Sequence, residues 1–107
     1  MYKVLLAVKS NPILQELKNL HIWGGVTEFE ICEVTPDFDH LIEKLKEERY
    51  HLIFLEALPE NHVLSILRVI KKEKLCKAVA IVSQNPEFKI VRKSFLLGVD
   101  DYLAVPF

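Results

Sequence analysis

Short apolar runs alternate along the chain with longer segments in which apolar residues recur at helical spacing. The short runs are rich in β-branched residues and have the length of strands. The run at 29–34 mostly alternates between apolar and polar residues and predicts an edge strand, whereas the first, third and fourth runs are nearly continuous and predict strands covered on both faces. Five strands are predicted: Lys3–Val8, Phe29–Val34, His51–Leu55, Ala78–Val82 and Tyr102–Val105.

The segments between these strands carry apolar residues on one helical face and begin with recognisable start signals. An asparagine–proline pair at 11–12 and a threonine–proline pair at 35–36 each supply a cap and a first-turn proline. Two more helices are predicted over 61–72 and 86–97, the last ending at Gly98 in a left-handed C-cap. Because strict alternation requires crossover connections, the pattern predicts an α/β fold, a (βα)4β three-layer sandwich with a parallel five-stranded sheet.

The composition is that of one globular domain. The chain has 107 residues, of which 50% are hydrophobic and 27% charged, which argues against disorder and allows a real core. A formal net charge of -1 disfavours nucleic-acid contact by this chain alone. Cys32 and Cys76 lie far apart and no secretion signal precedes them, so we expect reduced core thiols in a cytoplasmic protein. No apolar run has the length of a membrane span.

Three segments resemble motifs of response-regulator receiver domains. Residues 2–9 resemble the KVLLVDD opening of that family, residues 51–59 (HLIFLEALP) its DLIFLDxxMP strand, and residues 97–107 its GADDYLxKPF ending. Trp23 and details at 29–32 and 44–48 are most similar to receivers that precede AraC-type DNA-binding domains. The resemblance covers essentially the whole chain. It implies the flavodoxin-like strand order 2-1-3-4-5, with a site at the carboxyl ends of the strands.

The chemistry of the family is phosphotransfer from a histidine kinase to an aspartate, with magnesium held by acidic oxygens. By resemblance Glu56 stands at the phosphoacceptor position, with a side chain one methylene longer than aspartate. Val8 and Lys9 stand at the acidic pair, and a one-residue shift to Ser10 supplies no carboxylate either. Val105 replaces the phosphate-pairing lysine. We therefore predict a pseudo-receiver that holds no metal ion, needs no cofactor and is not an enzyme.

The signalling positions of the family are retained. Ser83 stands at the switch hydroxyl and Tyr102 at the aromatic switch. Ser83 is expected either to donate to Glu56 or to cap the following turn, and Tyr102 either to move between inward and outward positions or to stay packed. Glu56 either imitates a charged acceptor or is an ordinary carboxylate at a strand end. Lys9 either supplies a counter-charge to Glu56 in place of the metal or is solvated.

Zinc binding is disfavoured because the histidines have no ligand spacing and fall on different segments. They are His21, His40, His51 and His62.

The resemblance implies a regulatory, non-catalytic domain of a transcriptional two-component response regulator that signals by protein contact. Two alternatives stay open: a receiver that takes phosphate on Glu56 or another residue, and a freestanding adaptor or ligand sensor. The expected partners are a second copy of the chain, a histidine kinase and a DNA-binding domain in the parent chain.

Receivers continue beyond the proline–phenylalanine pair at 106–107 into a fifth helix, so we expect residues 1–107 to form a receiver-like domain that lacks this final helix. Its loss is expected to uncover part of the strands at 51–55, 78–82 and 102–105. We therefore expect an exposed apolar patch and a homodimer that buries it.

Overall fold

Strands and helices alternate along the chain in the computed structural model, as the sequence pattern predicts. The structure describes residues 2–9, 11–19, 27–31, 39–57, 63–84 and 86–104. The strands are β1 (Tyr2–Ala7), β2 (Thr27–Ile31), β3 (Leu52–Glu56), β4 (Ala78–Ser83) and β5 (Asp101–Ala104). The helices are α1 (Asn11–Lys18), α2 (Asp39–Glu47), α3 (Val63–Glu73) and α4 (Phe88–Leu96). Every predicted strand and helix therefore has a counterpart.

The boundaries differ most at β2, which begins at Thr27, two residues earlier than predicted. Its predicted continuation through Cys32 to Val34 lies outside the described residues, as does the threonine–proline pair at 35–36. None of the helices in the described part of the chain is long and apolar enough to cross a membrane.

The five strands form one parallel sheet in the order β2-β1-β3-β4-β5, which is the predicted order. β1 lies between β2 and β3, with Val4 opposite Phe29 on one side and Leu52 on the other. At the other end of the sheet, Ala80 of β4 lies opposite Asp101 of β5. Because all strands run the same way, their carboxyl ends meet at one edge of the sheet.

Each face of the sheet packs against helices, because successive side chains of a strand point to opposite faces. On one face, Leu5, Ile53 and Ile81 pack with residues of α2 and α3. On the other face, Val4 and Phe54 pack with residues of α1. The predicted three-layer α/β architecture is confirmed.

From the sequence we expect an exposed apolar patch on the strands at 51–55, 78–82 and 102–105. Among their described residues, the side chains on the α1 side of the sheet form no such patch. Phe54, Ala80 and Val82 are 3%, 4% and 0% exposed. They belong to one core cluster with three residues of α1, and Leu52 and Leu103 pack partly buried against it. The expectation was wrong because these side chains are already packed together and withdrawn from solvent.

The C-terminal end of α4 is closed by a left-handed glycine, as predicted. Gly98 has a φ of 96°, a conformation that glycine adopts without steric cost. The N–H groups of Gly98 and Val99 donate to the carbonyl oxygens of Phe95 at 3.1 Å and Ser94 at 3.0 Å. These two bonds satisfy carbonyls that the helix itself leaves without partners.

Asp100 then ties this end of α4 to the start of β4. Its N–H donates to the Val79 carbonyl at 2.8 Å, and its carboxylate accepts the Val79 N–H at 2.7 Å. The Lys71 ammonium lies 3.2 Å from the same carboxylate oxygen. By contrast, Glu87, the N-cap residue of α4, makes no side-chain cap hydrogen bond. The two ends of α4 are thus held very differently.

Candidate functional site at the carboxyl ends of the strands

The ends of β1, β3 and β4 bring four of the predicted positions to the same edge of the sheet. Val8 and Lys9 follow β1, while Glu56 ends β3 and Ser83 ends β4. Val8, Glu56 and Ser83 are 2%, 4% and 5% exposed, whereas Lys9 is exposed. A carboxylate as buried as that of Glu56 is costly unless hydrogen bonds replace the water it has lost.

A main-chain donor supplies one such bond. The Lys9 N–H donates to the Glu56 Oε1 at 2.8 Å. Next to it, the Ala57 N–H donates to the Val82 carbonyl at 2.8 Å, which extends the pairing of β3 and β4 one residue past Glu56. The sequence predicts that Lys9 and Glu56 lie near each other, and they do. The 2.8 Å contact uses the backbone, however, and any residue except proline would supply that donor at position 9.

The side chains of Ser83 and Tyr102 lie within hydrogen-bonding reach of each other. Tyr102 is paired with Ile81 in the sheet, and two residues of a parallel strand span about 6.6 Å, so the phenol reaches forward along the strand to Ser83. The ring is half-buried and packs against the core cluster on the α2 and α3 face. Neither of the two expectations for Ser83 included this contact. It could have been inferred from the predicted strand order, which places the ends of β4 and β5 side by side.

The surroundings of Tyr102 raise the pKa of its hydroxyl. Burial raises the pKa of the Tyr102 hydroxyl, the hydrogen bond from Ser83 lowers it in part, and the negative charge of Glu87 raises it further. The start of α4 is therefore electrostatically close to the Ser83–Tyr102 pair. Tyr102 is packed in this structure, and whether it also moves between inward and outward positions stays a prediction.

At the two positions where the receiver family has its acidic pair, this chain has a buried valine, Val8, and an exposed lysine, Lys9. Val8 packs in the core cluster with α1. Its hydrocarbon side chain has no charge and no polar atom that could bind a metal ion. Within the described residues, no group of three or more histidine, cysteine, aspartate or glutamate side chains is arranged to hold a metal ion. Val105, which stands where the receiver family has its phosphate-pairing lysine, lies outside the described residues.

The overall arrangement is similar to that of solved response regulators. One is HP1043, an orphan response regulator of H. pylori, with a TM-score of 0.76 and 26% identity over 99% of this chain and 84% of that one. The chain has the fold of a response-regulator receiver domain. Another similar structure is that of an atypical orphan response regulator described as having a phosphorylation-independent regulatory mechanism, with a TM-score of 0.75 and 24% identity over 98% of this chain and 82% of that one.

Two curated proteins of Bacillus subtilis (strain 168) are similar in sequence to this receiver-type chain. The transcriptional regulatory protein MalR is 24% identical over 104 residues, and the probable C4-dicarboxylate response regulator DctR is 28% identical over 109 residues. These alignments cover 96% and 99% of this chain but only 44% and 46% of the two relatives. The chain thus spans less than half the length of either relative. No family model matches it.

Proposed function

We propose that the chain is a regulatory receiver-like domain of a transcriptional response regulator, and that it signals by protein contact without magnesium-dependent phosphorylation. The observation that carries this proposal is the state of the strand-end site. The carboxylate at the phosphoacceptor position, Glu56, is buried and bonded to the main chain. The neighbouring position that would hold a metal ligand is a core valine, Val8.

Phosphotransfer chemistry explains why this combination matters. Transfer to a carboxylate needs a metal ion bound by acidic oxygens and positive charge to offset the developing phosphoryl oxygens. Removing such electrostatic stabilisation typically costs orders of magnitude in rate. A buried carboxylate that already accepts the Lys9 N–H is also poorly placed to attack a phosphodonor. Glu56 therefore acts as a fixed charged group at the strand end, without becoming phosphorylated.

The similar proteins support the regulatory part of the proposal. MalR and DctR are described as a transcriptional regulatory protein and a response regulator, and both are more than twice the length that this chain covers. We propose by analogy that the chain belongs to a cytoplasmic regulator that also contains a DNA-binding domain. Two similar structures are of orphan regulators, one of them with phosphorylation-independent regulation. The latter is a precedent for a receiver fold that is regulated without phosphorylation.

Helix α4 offers a surface for the protein contacts. Its Phe88, Phe95 and Leu96 side chains are 78%, 50% and 76% exposed. The spacing from 88 to 95 and 96 is that of one helical face, and an exposed cluster of large apolar side chains is typical of an interaction site. We propose that the expected homodimer forms through this surface of α4, because the strands on the α1 side are already covered.

Phosphorylation can be tested directly by intact-mass measurement. The chain is incubated with magnesium and a small acyl-phosphate donor, and no phosphoryl adduct is expected. A receiver domain that has the phosphoacceptor aspartate, the acidic pair and the lysine is incubated in parallel, and its adduct shows that the conditions suit phosphorylation. A stoichiometric adduct on the unchanged chain would contradict the proposal and favour a working receiver that uses Glu56 or another residue.

The dimer surface is tested separately by light scattering at tens of micromolar. The unchanged chain is expected to be dimeric, and a Phe88→Ser and Leu96→Ser double variant monomeric. Lys89→Ser with Lys93→Ser is the control, because it alters exposed polar positions of the same helix. A monomeric unchanged chain would refute the homodimer, whereas loss of the dimer in both double variants would show that the apolar side chains are not its specific basis.

A further inference from the structure

A cavity lies at the opposite edge of the sheet from Glu56, where α3 ends and β4 begins. It has a volume of about 300 Å³ and is lined by Lys71, Lys74, Cys76 and Lys77. Three of its four lining side chains therefore carry positive charge, although the whole chain has a formal net charge of -1. Such a local excess of one sign is not explained by composition.

Only one of the three ammonium groups has a carboxylate partner among the described residues. The Lys71 ammonium lies 3.2 Å from the Asp100 carboxylate and 3.4 Å from the Lys77 carbonyl, which fixes its position. Lys74 and Lys77 are exposed and form no salt bridge with any described residue. Two lysines without a carboxylate partner among the described residues thus line the cavity beside a third, Lys71, that is shared with Asp100.

The floor of the cavity adds no opposing charge. Cys76 is 5% exposed, and its Sγ lies 3.3 Å from the Ala78 carbonyl and 3.5 Å from the Tyr50 carbonyl. Burial raises the pKa of the Cys76 thiol, so the group is neutral at physiological pH and already engaged with carbonyl oxygens. The acidic residue nearest along the chain, Glu73, lies 3.6 Å from the Lys46 ammonium.

We infer that this cavity is a binding site for a phosphate-bearing anion, held by Lys74 and Lys77 and in part by Lys71. Charge-assisted hydrogen bonds from ammonium groups are the interactions by which lysine recognises phosphate. The short connection from Glu73 to Ala78 keeps the two exposed lysines at the mouth of one cavity. This site is separate from Glu56 and does not depend on the proposed function.

The shared lysine couples the site to α4. An anion at Lys71 competes with the Asp100 carboxylate, and Asp100 joins the end of α4 to Val79 of β4. Binding should therefore shift the amide resonances of Val79 and Asp100 as well as those of the residues that line the cavity. A merely diffuse attraction of anions to surface lysines would not select these two amides.

Amide NMR of the full chain, titrated with inorganic pyrophosphate at constant ionic strength, tests the inference. Saturable shifts are expected at 74–79 and at Asp100, and a parallel titration with chloride should give none. A nucleoside diphosphate forms a further arm. Equal midpoints would support a site that recognises phosphate alone, and tighter nucleotide binding would support a site for a phosphorylated organic molecule.

Matched variants make the outcome specific. Lys74→Gln with Lys77→Gln should weaken pyrophosphate binding by about tenfold or more, since two charge-assisted contacts are lost. Lys89→Gln with Lys93→Gln removes the same charge from α4 and should leave the midpoint unchanged. Shifts that never saturate, or equal weakening in both double variants, would overturn the inference.

Discussion

Replacement of Glu56 by glutamine removes the charge of the strand-end carboxylate but keeps its size. The Lys9 N–H lies 2.8 Å from Oε1, and a hydrogen bond to a charged group contributes about 1.5 to 3 kcal/mol against about 0.5 to 1.5 for a neutral pair. Because Glu56 is only 4% exposed, solvent screens this difference little. We expect Glu56→Gln to lower the free energy of unfolding by about 1 kcal/mol.

Glu56→Ala should cost more, about 2 to 3 kcal/mol, because it removes the acceptor and leaves the Lys9 N–H without this bond. Urea denaturation followed by circular dichroism measures both changes, with the exposed Glu43→Gln on α2 as the control for loss of one negative charge. A stabilising effect of Glu56→Gln would refute the reasoning, since it would mean that desolvation outweighs the hydrogen bonds.

The same Glu56→Gln variant tests whether the site is locked. Because the proposed function has no phosphorylation cycle, it predicts that one arrangement of Ser83 and Tyr102 dominates the ensemble, so amide shifts should stay close to position 56. Large shifts spread over the described residues 86–104 would instead reveal a conformational switch that responds to the charge.

Three further changes probe features of the fold. Asp100→Asn should destabilise the chain by about 1 kcal/mol, because its charged bond to the Val79 N–H becomes neutral; thermal denaturation would contradict this if the midpoint did not fall. Gly98→Ala should cost about 1 to 2 kcal/mol through its positive φ alone, since the nearest atoms to an added Cβ are 3.8 Å away; a neutral effect in urea would argue against the strained backbone. The raised pKa of Cys76 means that the unfolded thiol ionises first, so the contribution of Cys76 to stability is present at neutral pH and is lost as the pH rises through about 9.0 and above. Above that pH, stability should therefore fall less steeply in Cys76→Ala than in the unchanged chain; equal slopes in the two proteins would refute that assignment.

The sequence predicts the architecture well because the fold depends on local periodicity. Continuous apolar runs such as 78–82, rich in β-branched residues, are typical of interior strands of a covered parallel sheet, and Gly98 marks the end of α4 because glycine tolerates its φ without cost. Lys74 shows the limit of this reasoning. Its φ of 54° also ends a helix in the left-handed region, yet no residue preference of lysine predicts it.

The site was harder to predict because its contacts join residues that are distant in sequence. The proximity of Lys9 and Glu56 follows from the ends of adjacent parallel strands, but which atoms meet depends on the backbone. The bond between Ser83 and Tyr102 depends on the β4–β5 register, which pairs Tyr102 with Ile81. The absence of a fifth helix led to the expectation of an uncovered strand face, yet Val82 on that face is buried. The number of helices does not predict burial, because burial depends on how the side chains fill the space.

The unequal ends of α4 have a mechanical consequence. Its C-terminal end is fixed by the Gly98 turn and by the bonds of Asp100 to Val79 and Lys71, while its N-terminal end has no side-chain cap. If the helix reorients, its C-terminal turn should therefore stay in place while its N-terminal end changes position. Phe88 would sweep through a wide arc while Leu96 scarcely moved, so a partner that holds both residues would sense the angle of the helix.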